Sequence, residues 1–335
     1  MSFISQFYSW LTTPSPPIDI PTIPPNDAPC RYRLDTDSSG TLTLPDGRKI
    51  GYAQYGSPTG KAILYQHGLP GSRLEGAIFH ELGLELGARL ICPDRPGYGW
   101  SSPQPNRKLL DHPKDMEYLA DHLQLKEYSV LGISGGGPYA LACAYALPRE
   151  KLKSVAIVVG LGPPDIGMKG AQALHWVGFT FGWRIAPAWA VKYFWRTMPM
   201  GKLELSDEKR LEMLLKEVAN APNKKDREGL KDVDIFRLTL RGARESFRQG
   251  YEASGQDGYV CSTPFGFRVE DIRKDLPVQL WYGKHDIFVP ANHGVQIATR
   301  IGSSAVLRIA DETHGSICLD QTSRRQWFEE FVKSM

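Results

Sequence analysis

From about residue 41 onward, short apolar runs alternate with longer stretches whose apolar positions recur at helical spacing. Thr41 to Gln54 reads as two short strands around the turn Pro45-Asp46-Gly47, an antiparallel opening hairpin. Ala62–Gln66, Ala88–Cys92, Tyr128–Ile133, Val155–Val159 and Val278–Tyr282 are apolar runs of the length expected for strands, and the last two are continuous, as in strands buried on both faces. Helical patterns lie between them, through Ile78, Leu82 and Leu86, over Lys114–Leu125, and over Gly137–Leu147. Toward the end, Ala291–Ile301 reads as a helix, Val306–Ile309 as a strand and Arg324–Val332 as a closing helix. This alternation predicts an α/β fold with a mostly parallel sheet and helices on both faces.

The pattern changes between Val159 and Val278, where helical periodicity near Asp207–Val218 and Ile235–Tyr251 is clear and no run reads as a strand. We expect an inserted helical lid at residues 161–265, with the α/β core at 41–160 and 266–335. Between Lys169 and Lys192 the only Lys, Arg, Asp or Glu is Arg184, while Trp176, Phe179, Phe181, Trp183 and Trp189 crowd together. Aromatic side chains at this density either pack the insertion onto the body or line a large apolar pocket, so Trp176, Phe179, Trp183 and Trp189 are the candidate substrate-binding residues. Arg237, Arg241, Arg244 and Arg248 recur at helical spacing, a stripe that reads as a solvated or salt-bridged face, with contact to an anionic substrate as the alternative.

Residues 1–40 stand apart. Phe3, Ile4, Phe7, Trp10 and Leu11 form an apolar face at helical spacing, and prolines from Pro14 to Pro29 follow, a stiff extended linker. No Lys or Arg precedes Arg31 and no small-residue cleavage site follows the apolar face, which argues against a signal peptide. The face fits a short helix docked on the body or on a partner subunit, with weak membrane contact as the alternative; no stretch approaches the ~20 apolar residues of a span. Hydrophobic residues make up 41% and charged residues 23%, which suits a globular protein, and the net charge of +3 offers no footprint for nucleic acid. Five widely spaced cysteines form no zinc-site pattern, predict no metal, and point to a reducing, cytoplasmic compartment.

The residues that carry chemistry begin at Gly132-Ile133-Ser134-Gly135-Gly136, between a predicted strand and a predicted helix. A serine at such a turn is lifted clear of the sheet, and its flanking glycines let strand and helix approach closely. A serine hydroxyl is a weak nucleophile without a base, so the turn calls for a histidine oriented by a carboxylate. Asp286, just past Val278–Tyr282, and His314, just past Val306–Ile309, each fall at the carboxyl end of a strand, where open α/β sheets place their sites. Asp165 is the rival acid; Asp311 and Glu312 lie too near His314 in sequence to be first choices. The loop His67-Gly68-Leu69-Pro70-Gly71-Ser72 follows the strand Ala62–Gln66, so the backbone N–H groups of Leu69 and Gly135 are the candidate oxyanion donors, with His67 bracing the loop.

With these motifs in order, and with Asp94-Arg95-Pro96-Gly97-Tyr98-Gly99-Trp100-Ser101 after the strand Ala88–Cys92, the chain resembles the α/β-hydrolase fold superfamily over roughly residues 41–332. The resemblance implies an eight-stranded, mostly parallel sheet, a lid inserted after the sixth strand, and no cofactor. Ile133 stands where many members carry His. The expected activity is hydrolysis of an ester, thioester or lactone of a fairly large apolar small molecule through an acyl-serine. The alternatives are carbon–carbon cleavage, cyclisation or acyl transfer by the same triad, and a non-catalytic ligand-binding relative.

Overall fold

The structure is a computed structural model that describes residues 20–25 and 27–335, so the apolar face from Phe3 to Leu11 lies outside the described residues. Eight strands form one sheet: β1 (Ser39–Thr43), β2 (Lys49–Gly56), β3 (Lys61–Gln66), β4 (Ala88–Pro93), β5 (Tyr128–Ile133), β6 (Leu152–Val158), β7 (Val278–Gly283) and β8 (Ala305–Ala310). Their order is β1-β2-β4-β3-β5-β6-β7-β8. β2 runs antiparallel to both β1 and β4, and all other neighbours are parallel. This is the α/β fold read from the alternating pattern.

Side chains alternate across each strand, so every central strand feeds two cores. Leu64, Val130, Ile157 and Leu280 point into one, and Ile63, Leu131, Ala156 and Trp281 into the other. The helices of seven or more residues are α1 (His80–Leu86), α2 (His112–His122), α3 (Gly137–Ala146), α4 (Ala188–Thr197), α5 (Asp207–Ala219), α6 (Val233–Ser246), α7 (Glu252–Ser262), α8 (Asn292–Ile301) and α9 (Gln321–Lys333). The first core takes side chains from α2, α3, α7 and α8, and the second from α1, α5, α6 and α9. Both faces of the sheet are therefore covered, which is why β3 to β7 tolerate nearly continuous apolar sequence. β8 is an edge strand, and its Val306 and Ile309 are exposed.

Between β6 and β7 the described residues contain helices and turns and no strand. The single helix expected over Ile235–Tyr251 is two: α6 ends at Ser246 and α7 begins at Glu252. Gly250 between them has a φ of 113°, a conformation no helix can hold and one that favours glycine. The arginine stripe on and after α6 is salt-bridged: Arg237 to Asp234, Arg241 and Arg248 to Glu245, and Arg244 to Asp207. Arg237 and Arg241 also donate to the carbonyls of Ala28, Pro29 and Leu34, and Tyr32 is buried in the second core. The end of the proline-rich linker and the residues just after it, 28–34, are thus fastened to α6. All five cysteines are free.

Candidate active site

β5 delivers Ser134 to a turn whose backbone only short-range crowding explains. Ser134 has a φ of 54°, a left-handed value that costs a non-glycine residue roughly 1–2 kcal/mol. The turn persists because the chain packs closely on both sides: a Cβ at Gly132 would lie 2.6 Å from the Gly136 carbonyl oxygen, and one at Gly136 would lie 2.1 Å from that of Gln66. The Ser134 side chain emerges at the carboxyl end of β5, just before α3.

His314 and Asp286 come to Ser134 from the ends of β8 and β7. Thr313 caps the short helix His314–Leu319 through a reciprocal pair of bonds with Ser316, which fixes His314 in the first turn. His314 Nδ1 lies 2.7 Å from Asp286 Oδ2, and its Nε2 lies 3.0 Å from Ser134 Oγ. The other Asp286 oxygen, Oδ1, accepts from the N–H groups of Phe288 and Val289 at 2.8 Å each, and the side chain is fully buried. With its Nδ1 proton donated to that carboxylate, His314 presents a lone pair at Nε2 to the Ser134 hydroxyl. Phe288 stands edge-on to His314 with ring centroids 5.4 Å apart. The helical segment between β6 and β7 reaches the same loop, since Asp226 accepts from the Thr313 hydroxyl and Lys225 Nζ lies 3.1 Å from Glu312 Oε1.

On the opposite side stands the loop after β3. A Cβ on Gly135 would lie 3.0 Å from Leu69 N, so the two backbones run side by side next to Ser134. The Leu69 N–H has no partner among the described residues. Its neighbour, Gly68 N–H, donates to Glu75 Oε2 at 3.0 Å, and the Tyr65 hydroxyl donates to the same oxygen at 3.0 Å. Burial pushes the Glu75 carboxyl up to about 7. His67 is buried and neutral, because desolvation holds its pKa well below the usual value. Its Nε2 accepts from Arg95 N–H at 3.3 Å and its Nδ1 donates to the Gly68 carbonyl at 2.9 Å. Arg95 adds two bonds, to the carbonyls of His67 (2.6 Å) and Gly68 (2.7 Å).

Arg95 is itself held by Asp257 on α7, with Nε 2.6 Å from Oδ2. Arg107 pairs with the same carboxylate and the Tyr139 hydroxyl donates to it at 2.7 Å, all four groups being buried. Burial alone would raise the Asp257 carboxyl; the guanidiniums of Arg95 and Arg107 overcome that and hold it below the usual carboxylate range.

The remaining candidates lie elsewhere. Asp165 is exposed, is bound to Arg300 at 2.6 Å, and makes no bond to His314. His285 pairs with Asp311 at 2.8 Å on the surface. Among the aromatics, Phe179 lines a cavity whose wall includes Leu161, bonded through its N–H to the Ser134 carbonyl, whereas Trp183 packs against Phe194, Trp195 and Gly258. Trp176 and Trp189 face solvent, the latter 74% exposed. Sequence reading passed over Glu75 and Asp257. Asp257 did leave a trace, since it is an acidic residue on the same helix face as Ser254 and Cys261, which are buried.

Comparison with known proteins agrees with this architecture. Residues 61–320 match the model of the alpha/beta hydrolase fold. An uncharacterised hydrolase of Bacillus subtilis is 32% identical over 138 residues, 40% of this chain and 47% of that protein. A non-heme chloroperoxidase of Streptomyces lividans is 32% identical over 127 residues, 37% of this chain and 45% of that one. A proline iminopeptidase of Xylella fastidiosa is 31% identical over 121 residues, 35% and 38%. The matched stretch thus spans less than half the length of each of these relatives. An esterase from Exiguobacterium antarcticum superposes with a TM-score of 0.61 at 16% identity, over 88% of this chain and 98% of that one, a likeness of fold. The family model covers well over half the residues, and the chain belongs to the alpha/beta hydrolase fold family.

Proposed function

We propose that the protein is a serine hydrolase that cleaves a carboxylic ester, thioester or lactone of an apolar substrate through an acyl-serine intermediate. The observation that carries this reading is the unbroken hydrogen-bond chain from Ser134 Oγ through His314 to the buried Asp286. Ser134 Oγ attacks the substrate carbonyl while His314 Nε2 takes its proton, and the imidazolium so formed is stabilised by Asp286. His314 then returns the proton to the leaving alcohol or thiol as the tetrahedral intermediate collapses to the acyl-serine. Water, deprotonated by His314, releases the acid and restores Ser134. The N–H groups of Gly135 and Leu69 hold the oxyanion, and residues 161–265 act as a lid that supplies apolar surface over the site.

A p-nitrophenyl ester series of increasing acyl length, run beside labelling with a fluorophosphonate, tests the proposal. Labelling together with turnover is expected. Labelling without turnover of esters, but with release of p-nitroaniline from proline p-nitroanilide, would favour amide cleavage, in keeping with the proline iminopeptidases among the relatives. The absence of both labelling and turnover would overturn the hydrolase reading.

A further inference from the structure

Between β6 and β7 the short helical stretches Ala173–Val177, Gly178–Gly182 and Trp183–Ile185 run on from one another without a break. Their inner face carries His175, Phe179 and Trp183 at four-residue spacing, and all three are packed. His175 stands edge-on to Phe288 with ring centroids 4.6 Å apart, Phe179 meets Trp183, and Trp183 stacks on Trp195. The outer face is apolar as well: Leu174, Val177, Phe181 and Ile185 recur at three- and four-residue spacing, and every one is exposed. α4, which follows, repeats the arrangement, with Val191 and Trp195 buried while Trp189 and Tyr193, one turn apart, face solvent. Ile185, Trp189 and Tyr193 are 76%, 74% and 71% exposed. A helix apolar on both faces is ordinarily covered on both, and large side chains exposed along consecutive turns mark an interaction surface.

The charge of this surface selects its partner. From residue 166 to residue 203 the chain carries Lys169, Arg184, Lys192, Arg196 and Lys202 and no Asp or Glu. Lys169, Arg184 and Lys192 are exposed and have no carboxylate partner among the described residues, whereas Arg196 meets Glu204 at 3.4 Å. A second copy of the chain is a poor match, because a two-fold contact brings the same patch against itself and would oppose like charges. An anionic lipid surface answers both features: tryptophan and tyrosine settle at the level of the headgroups, and Lys and Arg meet the lipid phosphates. No helix among the described residues is long and apolar enough to cross a membrane, so the fit is to a surface on which the protein lies.

We propose that this face docks the protein on an anionic lipid surface, with Ile185, Trp189 and Tyr193 entering the headgroup region and Arg184 and Lys192 held at the phosphates. The docking does not depend on Ser134 being a nucleophile.

The test is sedimentation of the full chain with vesicles of phosphatidylcholine alone and of phosphatidylcholine with phosphatidylserine as about one third of the lipid. Binding to the second kind is expected to be at least about tenfold tighter, and to weaken as salt is raised from about 0.1 M to 0.5 M. Replacing Ile185, Trp189 and Tyr193 together by Ser should weaken it at least about tenfold, with the melting temperature held within about 2 °C because all three side chains are exposed. Lys192→Glu should weaken binding to the phosphatidylserine vesicles at least about fivefold and leave the melting temperature in place. No binding to phosphatidylserine vesicles by the unmodified protein overturns the proposal. So does a triple variant that binds as well as the unmodified protein, which would move the contact to another part of the chain such as Phe3 to Leu11. Self-association of the unmodified protein that the triple variant abolishes, without vesicle binding, would assign the face to a second copy and overturn the proposal too.

Discussion

Asp257→Asn should weaken both the fold and the chemistry, and by separable amounts. The substitution leaves the guanidiniums of Arg95 and Arg107 buried, at 1% and 3% side-chain exposure, with no carboxylate between them. Removing one partner from a buried ion pair costs about 3–5 kcal/mol. Arg95 keeps its bonds to the His67 and Gly68 carbonyls, and Arg107 keeps those to the Pro96 carbonyl and Gln256, which places the cost at the low end. About 3 kcal/mol corresponds to a fall in melting temperature of roughly 4 °C for a chain of 335 residues. Calorimetry at pH 7 reads it. The Asp257 carboxyl is depressed in the fold, so its contribution is present above its unfolded pKa of about 3.9 and is lost as pH falls through the lower folded value. The gap between the two proteins should therefore hold from pH 5 to 8 and close below pH 4. Because Arg95 holds the loop that carries the Leu69 N–H, kcat should fall about tenfold or more while KM moves little. A melting temperature within 1 °C of the unmodified protein at pH 7 would refute the view that this carboxylate fastens the loop.

Other substitutions probe the remaining parts. Asp286→Asn should reduce kcat for p-nitrophenyl esters by about 10³-fold or more, because the amide cannot hold His314 in the required tautomer, whereas Asp165→Asn should stay within twofold; equal losses would contradict the assignment of the acid. Glu75→Gln should stabilise the protein increasingly as pH rises from 5 to 8. A carboxyl raised from 4.5 to about 7 disfavours the fold once it must ionise, by at most about 3 kcal/mol, and the amide carbonyl can still accept from Gly68 N–H and Tyr65; thermal unfolding profiles that stay parallel across that range would count against it. Gly136→Ala should destabilise by about 3 kcal/mol or more in urea unfolding, since its Cβ would meet the Gln66 carbonyl oxygen at 2.1 Å, and backbone inside a sheet cannot yield cheaply.

What could be read from the sequence follows a physical line. The strands were visible because a sheet covered on both faces writes apolar runs locally. The Ser134 turn was visible because its backbone demands glycines at fixed offsets. The positions of Asp286 and His314 followed from strand ends in chain order, a rule of topology that needs no contact information. The Asp257 anchor left only a faint mark, because Arg95, Arg107 and Tyr139 lie 118 to 162 residues away in sequence. The aromatics between Lys169 and Lys192 show the opposite failure. Composition marks Trp176, Phe179, Trp183 and Trp189 as one cluster, but which of them meets solvent depends on how short helical pieces turn against one another, and only Phe179 of the four lines the cavity. The division of the Ile235–Tyr251 pattern at Gly250 was equally hidden, since both halves keep helical spacing.

The central claim, that Ser134 forms the covalent intermediate, is tested most directly by intact-mass measurement after exposure to a fluorophosphonate. The unmodified protein should gain the mass of one adduct, mapped by peptide analysis to Ser134, while folded Ser134→Ala gains none and loses at least about 10³-fold of ester turnover. Labelling of Ser134→Ala at the rate of the unmodified protein would contradict the claim.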